Sequence, residues 1–184
     1  PLQVDGVDEV GQLRRAFEQM RSSLQARLGE INSLLRVSQG VASSLEMQDA
    51  VNPVLEAILS TGAASVRVIL SPNILPDTFV ELPSRFTLGQ DIYAHLDGQI
   101  LALAQSQEKI GIPNLTRSRE LTLDESRQQP LALLAVALRH ENRYYGVVWA
   151  GFDQPRMFSD SDVRFVTTLA GQAALAVANA HLYL

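Results

Sequence analysis

An apolar run, a short turn and a second apolar run constrain the fold of this chain more than any other feature. Residues 131–138 read LALLAVAL, residues 144–151 read YYGVVWAG, and Glu141-Asn142-Arg143 lie between them as a turn. An apolar run without polar alternation is typical of a strand buried on both faces. The pattern therefore predicts an antiparallel hairpin inside a sheet, with further layers of structure above and below it.

The second strand of this hairpin has two unlike faces, because successive side chains point to opposite sides of a sheet. One face carries small residues that allow helices to pack closely, and the other carries residues bulky enough to line a cavity. The first set is Gly146, Val148 and Ala150, and the second set is Tyr145, Val147 and Trp149.

The N-terminal part of the chain reads as a long helix with a narrow apolar stripe. The stripe follows the alternating steps of three and four of a coiled-coil seam, with two consecutive steps of four, a stutter, near Leu24 and Leu28. Its members are Val10, Leu13, Phe17, Met20, Leu24, Leu28, Ile31 and Leu35, and those from Leu13 onward are candidate dimer-interface residues. The other sides are polar, which predicts a homodimer; a monomeric helix folded back on its own domain is the alternative.

The rest of the chain predicts short alternating elements. We expect the first helix to break near Ser43-Ser44, with Pro53 early in a second helix, where the first turn tolerates proline. The predicted helices are 47–61, 100–107 after a turn at Asp97-Gly98, one or two turns within 121–128, and 163–184. The predicted strands are 65–70, 79–82, 85–88 and an extended segment 110–115.

A clear start signal precedes the last predicted helix. Phe158, Ser159, Asp162 and Val163 have the spacing of a capping box with a hydrophobic staple. Residues 165–184 carry no formal charge and approach the length of a membrane span. Because polar residues interrupt this stretch and a helix cap precedes it, we expect a helix packed in the domain or against a partner, without direct membrane insertion.

Composition excludes several function classes. A formal net charge of −5 argues against a nucleic-acid partner. The absence of cysteine excludes disulfides, thiolate metal sites and cysteine nucleophiles. His95, His140 and His181 have no metal-binding spacing, and no GxSxG, P-loop or GxGxxG motif is present. We therefore expect neither a catalytic site nor a metal site.

Several segments of the chain resemble the C-terminal half of a GAF domain. They are residues 130–138, 145–149, 158–162 and 169–183, with the Ile112-Pro113-Asn114-Leu115 element upstream. The resemblance covers roughly residue 30 to the end. It implies an α+β fold in three layers, with a central antiparallel sheet, a helical layer formed by the N- and C-terminal helices, and a pocket on the opposite face. We expect the homodimer indicated by the apolar stripe to form through those terminal helices.

Residues 8–13 (DEVGQL), followed by Arg15-Ala16-Phe17 and Met20, resemble the end of a HAMP domain, a relay found just inside the membrane in bacterial receptors. The two resemblances divide the chain into residues 1–29, the end of a HAMP domain with a coiled-coil signalling helix, and residues 30–184, a GAF sensor domain. They imply the cytoplasmic portion of an inner-membrane-anchored bacterial signalling protein. An output domain such as a two-component histidine kinase, a cyclase or a phosphatase would follow.

The GAF resemblance implies a regulatory pocket for a small molecule. Bilin attachment and free methionine sulfoxide reduction in this family need cysteines, and the cyclic-nucleotide pattern is only partly matched. The candidate lining residues are Tyr93, His95, Arg117, Arg119 and Trp149, and the ligand is unknown. The alternative is a ligand-free dimerisation or spacer module, in which Tyr93 and Trp149 simply fill the cavity.

Overall fold

A five-stranded antiparallel sheet forms the centre of the fold in the computed structural model, which describes residues 6–74 and 84–182. The strands are β1 (Ser65–Leu70), β2 (Arg85–Gly89), β3 (Lys109–Ile112), β4 (Ala132–His140) and β5 (Arg143–Phe152). The helices are α1 (Gly6–Leu59), α2 (Asp97–Ser106) and α3 (Asp160–Leu182), with short 3-10 helices at Ala94–Leu96 and Leu115–Arg117. The order across the sheet is β2-β1-β5-β4-β3, and every neighbouring pair is antiparallel.

Helices cover both faces of the sheet. The C-terminal part of α1 and the length of α3 pack on one face, and α2 packs on the other, mainly against β5 and β4. Each face has its own cluster of buried apolar residues, here called the α1/α3-side core and the α2-side core. The predicted α+β fold, with the terminal helices forming one layer, is confirmed.

The central hairpin is confirmed, with a shorter turn than expected. Glu141 and Asn142 have φ angles of 50° and 62°. Positive φ at both central residues defines a two-residue type I′ turn, whose twist matches that of the flanking strands. Arg143, predicted as part of the turn, is the first residue of β5 and pairs with His140.

A bulge near the start of β5 changes which face one aromatic side chain occupies. The register against β4 shifts by one residue, and Tyr145 is the extra residue. Gly146 follows with a φ of 152°, and a Cβ at this position would lie 2.1 Å from the carbonyl oxygen of Ile69. The prediction that Tyr145 faces the cavity side is wrong, because the bulge turns it into the α1/α3-side core. Tyr144 packs against the α2-side core instead.

The first helix is longer than predicted. α1 is continuous from Gly6 to Leu59, so the predicted break near Ser43-Ser44 and the separate second helix are wrong. Serine lowers helix stability by only a few tenths of a kcal/mol, which does not end a helix. Pro53 lies inside α1, where a missing N–H costs about 3 kcal/mol. Burial at helical spacing on the sheet offsets that cost, through Met47, Val51, Val54, Leu55 and Ile58.

The other predicted elements have mixed outcomes. The strands at 65–70 and 85–88 are confirmed, and the one at 79–82 lies outside the described residues. The extended segment predicted at 110–115 is shorter, because β3 ends at Ile112 and Leu115 begins a 3-10 helix. Asp97 and Gly98 begin α2 instead of forming a turn. No helix forms in residues 121–128, because the Asp124 carboxylate accepts hydrogen bonds from the backbone N and the Oγ of Ser126, at 3.0 and 2.6 Å. Such a side-chain bond favours a turn over a helix.

The predicted capping box of α3 is confirmed. Ser159 Oγ accepts a hydrogen bond from the backbone N of Asp162, and Asp162 Oδ2 accepts one from the backbone N of Ser159, both at 3.1 Å. These two bonds fix where α3 begins. Within residues 6–74 and 84–182, no helix is both long enough and apolar enough to cross a membrane.

Candidate functional site

The face of the sheet predicted to hold a pocket is filled by side chains in its described part. Tyr93 and Trp149 are both buried, and their ring centroids are 6.5 Å apart. A Cβ on Gly151 of β5 would lie 3.1 Å from the Tyr93 ring and 3.2 Å from the Trp149 ring. The strand therefore passes directly under both rings. The two predicted pocket residues come together, and their rings pack in the α2-side core.

A buried ion pair lies beside these rings. Arg67, in the middle of β1, donates a hydrogen bond from Nε to Asp97 Oδ1 at 2.8 Å and another from Nη2 to Asp97 Oδ2 at 2.7 Å. The two side chains are 3% and 1% exposed. Trp149 Nε1 also donates to Asp97 Oδ1, at 2.9 Å. Because Asp97 is the first residue of α2, the ion pair ties that end of α2 to both β1 and β5.

A second carboxylate contacts the same guanidinium. Arg67 donates from Nη1 to Oδ1 of Asp91, whose side chain is 68% exposed and lies in the turn between β2 and the first 3-10 helix. Burial by itself would lower the pKa of Arg67, but the hydrogen bonds and charges of Asp97 and Asp91 raise it. Arg67 is therefore permanently charged, and its guanidinium contacts both carboxyl groups.

The remaining predicted pocket residues make no hydrogen bond or ion pair with Arg67 or Asp97 in the described part of the chain. His95 is half-buried, and its Nε2 lies 3.0 Å from Oε1 of Gln129. Gln129 in turn donates from Nε2 to the backbone oxygen of Asp124 at 2.7 Å, so His95 contacts the loop before β4. Arg117 and Arg119 are exposed, at the end of the second 3-10 helix and just after it.

Neither of the two tyrosines with shifted pKa values on this side of the sheet is poised for acid–base chemistry near neutral pH. Burial raises the pKa of Tyr93, and the negative charge of Asp153 raises it further. Burial raises the pKa of Tyr144 to about 12, against a smaller opposing effect of Arg139. The Tyr144 hydroxyl donates to the backbone oxygen of Leu101 at 2.6 Å. In the described ranges, no three acidic or histidine side chains are grouped as metal ligands.

Sequence reasoning missed the ion pair, which is the main polar feature of this face. The signal was a charged residue in the middle of an apolar strand, in the sequence SVRVIL of β1. A charged side chain is almost never fully buried without a partner, so Arg67 alone predicts a buried acid somewhere in the chain. Asp97 is that acid, and it was missed because residues Asp97-Gly98 were wrongly predicted to form a turn.

The apolar seam of α1 lies outside both cores. The seam residues predicted from Val10 to Leu35 are all exposed, from 52% for Ile31 to 71% for Leu13. On α3, Phe165 and Leu175 are also exposed. A shallow groove lies on the outer side of α3 and is lined by Ser161, Arg164, Phe165, Thr168, Leu169 and Gln172.

Arg156 joins the end of α1 to the start of α3. Its Nη1 donates to the backbone oxygen of Thr61 at 2.7 Å, just past the C-terminus of α1. Its Nη2 lies 3.7 Å from Asp162 Oδ1, within the capping box of α3. The guanidinium also stacks over Phe152, 4.8 Å from the ring centroid. A cation suits the C-terminal end of one helix and an acid suits the N-terminal end of the other, so Arg156 links the two helices.

A family model described as "GAF domain" matches residues 13–178. The chain belongs to the GAF domain family. The predicted GAF membership is thereby confirmed, and the family is generally one of regulatory and signalling modules. No curated protein matches the chain.

Several solved GAF-type structures share the fold at low sequence identity. The GAF domain of an Acinetobacter phosphoenolpyruvate-protein phosphotransferase is 17% identical, with a TM-score of 0.55, covering 83% of this chain and 95% of that one. A type II free methionine-R-sulfoxide reductase from Thermoplasma acidophilum is 16% identical, with a TM-score of 0.55 and coverage of 77% and 96%. The GAF domain of the cyanobacteriochrome TePixJ is 14% identical, with a TM-score of 0.54 and coverage of 73% and 91%. At these identities the similarity establishes the fold alone.

Proposed function

We propose that this GAF domain is a non-catalytic sensory module that works as a parallel homodimer and relays a signal between neighbouring domains through α1 and α3. The observation that carries the proposal is the α1 seam, which keeps coiled-coil spacing while lying exposed along its length. A helix folded back on its own domain would cover that seam. Exposed apolar stripes of this kind are typical of protein–protein contact surfaces.

The relay has a direct physical route in this arrangement. α1 and α3 pack against each other on the same face of the sheet, and Arg156 bonds to the ends of both. A shift of α1 relative to the sheet therefore acts on α3 through shared contacts. The resemblance of residues 8–20 to the end of a HAMP domain supports an input from a receptor in the inner membrane, with the module on the cytoplasmic side.

The response to a small ligand belongs to the same proposal, on the α2 face of the sheet. A ligand shifts a conformational equilibrium only by its difference in affinity for the two states. The alternative is a ligand-free spacer, and one observation favours it, namely that Tyr93 and Trp149 fill the described part of that face. Native mass spectrometry of the purified chain tests for a ligand, because a dimer with a defined added mass supports the sensor.

Sedimentation equilibrium of two matched variants tests the dimer. Leu24→Lys places a charge in the seam, and Gln25→Lys places the same charge on an exposed residue next to it, outside the seam. Burying one seam side chain contributes roughly 1–2 kcal/mol, and a buried unpaired charge costs more. We expect Leu24→Lys to weaken dimerisation at least 100-fold and Gln25→Lys to leave it unchanged. A monomeric native chain, or equal dimerisation of both variants, would contradict the proposal.

A further inference from the structure

The two carboxylates on Arg67 are held in very different ways. Asp97 is 1% exposed, accepts two hydrogen bonds from Arg67 and accepts a third from Trp149. Asp91 is 68% exposed, and among the described residues its carboxylate contacts a single nitrogen, Nη1 of Arg67. Asp97 is thus a fixed part of the core, while the contact of Asp91 with Arg67 is accessible to solvent.

We propose that Nη1 of Arg67 is the binding position for a small carboxylate ligand, and that Asp91 occupies this position in the absence of ligand. The inference rests on the proposed sensory function and names the chemical class of its ligand. A monocarboxylate that replaces Asp91 leaves the guanidinium with two carboxylates, as before. Because no additional charge is buried, the exchange avoids the large desolvation cost of placing a new ion next to Asp97.

Access to this position follows from the exposure of Asp91. Arg67 itself is only 3% exposed, but the carboxylate on its Nη1 is in contact with solvent. A ligand that displaces Asp91 therefore reaches Nη1 from the surface without opening the α2-side core. Ile92, which follows directly, is partly exposed and offers an apolar contact beside the charge. These features suit a small organic acid with an apolar portion.

Displacement of Asp91 also has a path into the core. Asp91 lies two residues before Tyr93, whose ring packs near Trp149. Asp97 bonds both Arg67 and Trp149 through the same oxygen, Oδ1. A change of partner on Arg67 therefore alters the hydrogen bond between Trp149 and Asp97, because both donors share one acceptor oxygen. Trp149 is the single tryptophan of the chain, so all tryptophan fluorescence originates next to this ion pair.

The test is a fluorescence titration of the full chain with sodium acetate and sodium butyrate at constant ionic strength. Sodium chloride controls for ionic strength, and sodium phosphate tests the alternative anion. Asp91→Asn removes the competing charge, Asp91→Ala removes the contact entirely, and Asp49→Asn is the matched control at an exposed acid on α1. If Asp91 occupies Nη1 more than 90% of the time, its removal raises apparent affinity at least tenfold.

We expect saturable carboxylate binding that is at least tenfold tighter in either Asp91 variant than in the native chain or Asp49→Asn. No saturable response in the native chain and in both Asp91 variants would overturn the inference, as would equal responses to carboxylate and chloride. Saturation by phosphate but not by carboxylate would overturn the ligand class. Sedimentation of the same samples keeps the proposals distinct, because a dimer without a carboxylate response overturns only this inference, and a responsive monomer overturns only the dimeric relay.

Discussion

Replacing Arg67 by methionine tests whether the buried ion pair holds α2 onto the sheet. The native side chain donates two hydrogen bonds to Asp97 and one to Asp91. In Arg67→Met, the buried Asp97 carboxylate keeps only the bond from Trp149 among the contacts of the described residues. Removing one partner of a buried ion pair costs about 3–5 kcal/mol, so we expect the free energy of unfolding to fall by about that amount.

Urea unfolding, followed by Trp149 fluorescence and by far-ultraviolet circular dichroism, measures this loss. Native and variant chains are compared at one protein concentration, because the stability of a dimer depends on concentration. For a domain of this size, each kcal/mol shifts the thermal midpoint by roughly 2–4 °C, so we expect a decrease of roughly 6–20 °C. Agreement between the two signals shows that a single cooperative transition is being compared.

The double variant Arg67→Met with Asp97→Asn distinguishes two causes of lost stability, namely the unpaired charge of Asp97 and the lost packing of the Arg67 side chain. The asparagine side chain is neutral, and its oxygen can still accept the hydrogen bond from Trp149. Because the unpaired buried charge is gone, we expect the double variant to be more stable than Arg67→Met alone. A loss below about 1 kcal/mol in the single variant, or a double variant no more stable than the single one, would refute the reasoning from a buried uncompensated charge.

Two further predictions address the hairpin and the α2 face. Gly146→Ala places a Cβ 2.1 Å from a backbone oxygen at a φ of 152° and should cost about 3 kcal/mol or more. The control Gly171→Ala has no neighbour within 4 Å and should stabilise α3 by about 0.5–1 kcal/mol, both measured by urea unfolding. Tyr144 has an ordinary pKa of 10.0 and a folded pKa of about 12. The unfolded chain therefore ionises first as pH rises, so the native chain should lose stability between pH 10 and 12. Tyr144→Phe should lose less over that range, and equal losses would show that Tyr144 does not contribute.

The elements that the sequence predicted well are those determined by local chemistry. The central hairpin follows from apolar runs that flank Glu141-Asn142, and the start of α3 follows from the reciprocal bonds of Ser159 and Asp162. The spacing of the α1 seam is likewise a local property of one helix. Patterns of this kind need no knowledge of distant partners.

The elements that the sequence predicted poorly depend on contacts between distant segments. Tyr145 changes face because Gly146 approaches β1, and this approach is not encoded by the alternation within β5. Pro53 stays inside α1 because the sheet buries the surrounding helix face. In the candidate site, Tyr93 and Trp149 were predicted and do meet. The turn predicted at Asp97 is wrong, because the residue that buries Asp97 is Arg67. Arg67 lies 30 residues earlier, and no local pattern indicates their contact.

Because α1 is one continuous helix, its N-terminal part moves as a rigid rod when the part on the sheet tilts. About 40 residues precede the part of α1 that packs on the sheet, which corresponds to a rod of about 60 Å. Pro53 removes one hydrogen bond within the packed part, so a bend in α1 is easiest at this point. A tilt of about 5° at such a pivot moves the far end by about 5 Å, close to one helical turn. A small tilt within the domain therefore produces a displacement at the far end of α1 that is large enough for two paired helices to exchange contacts.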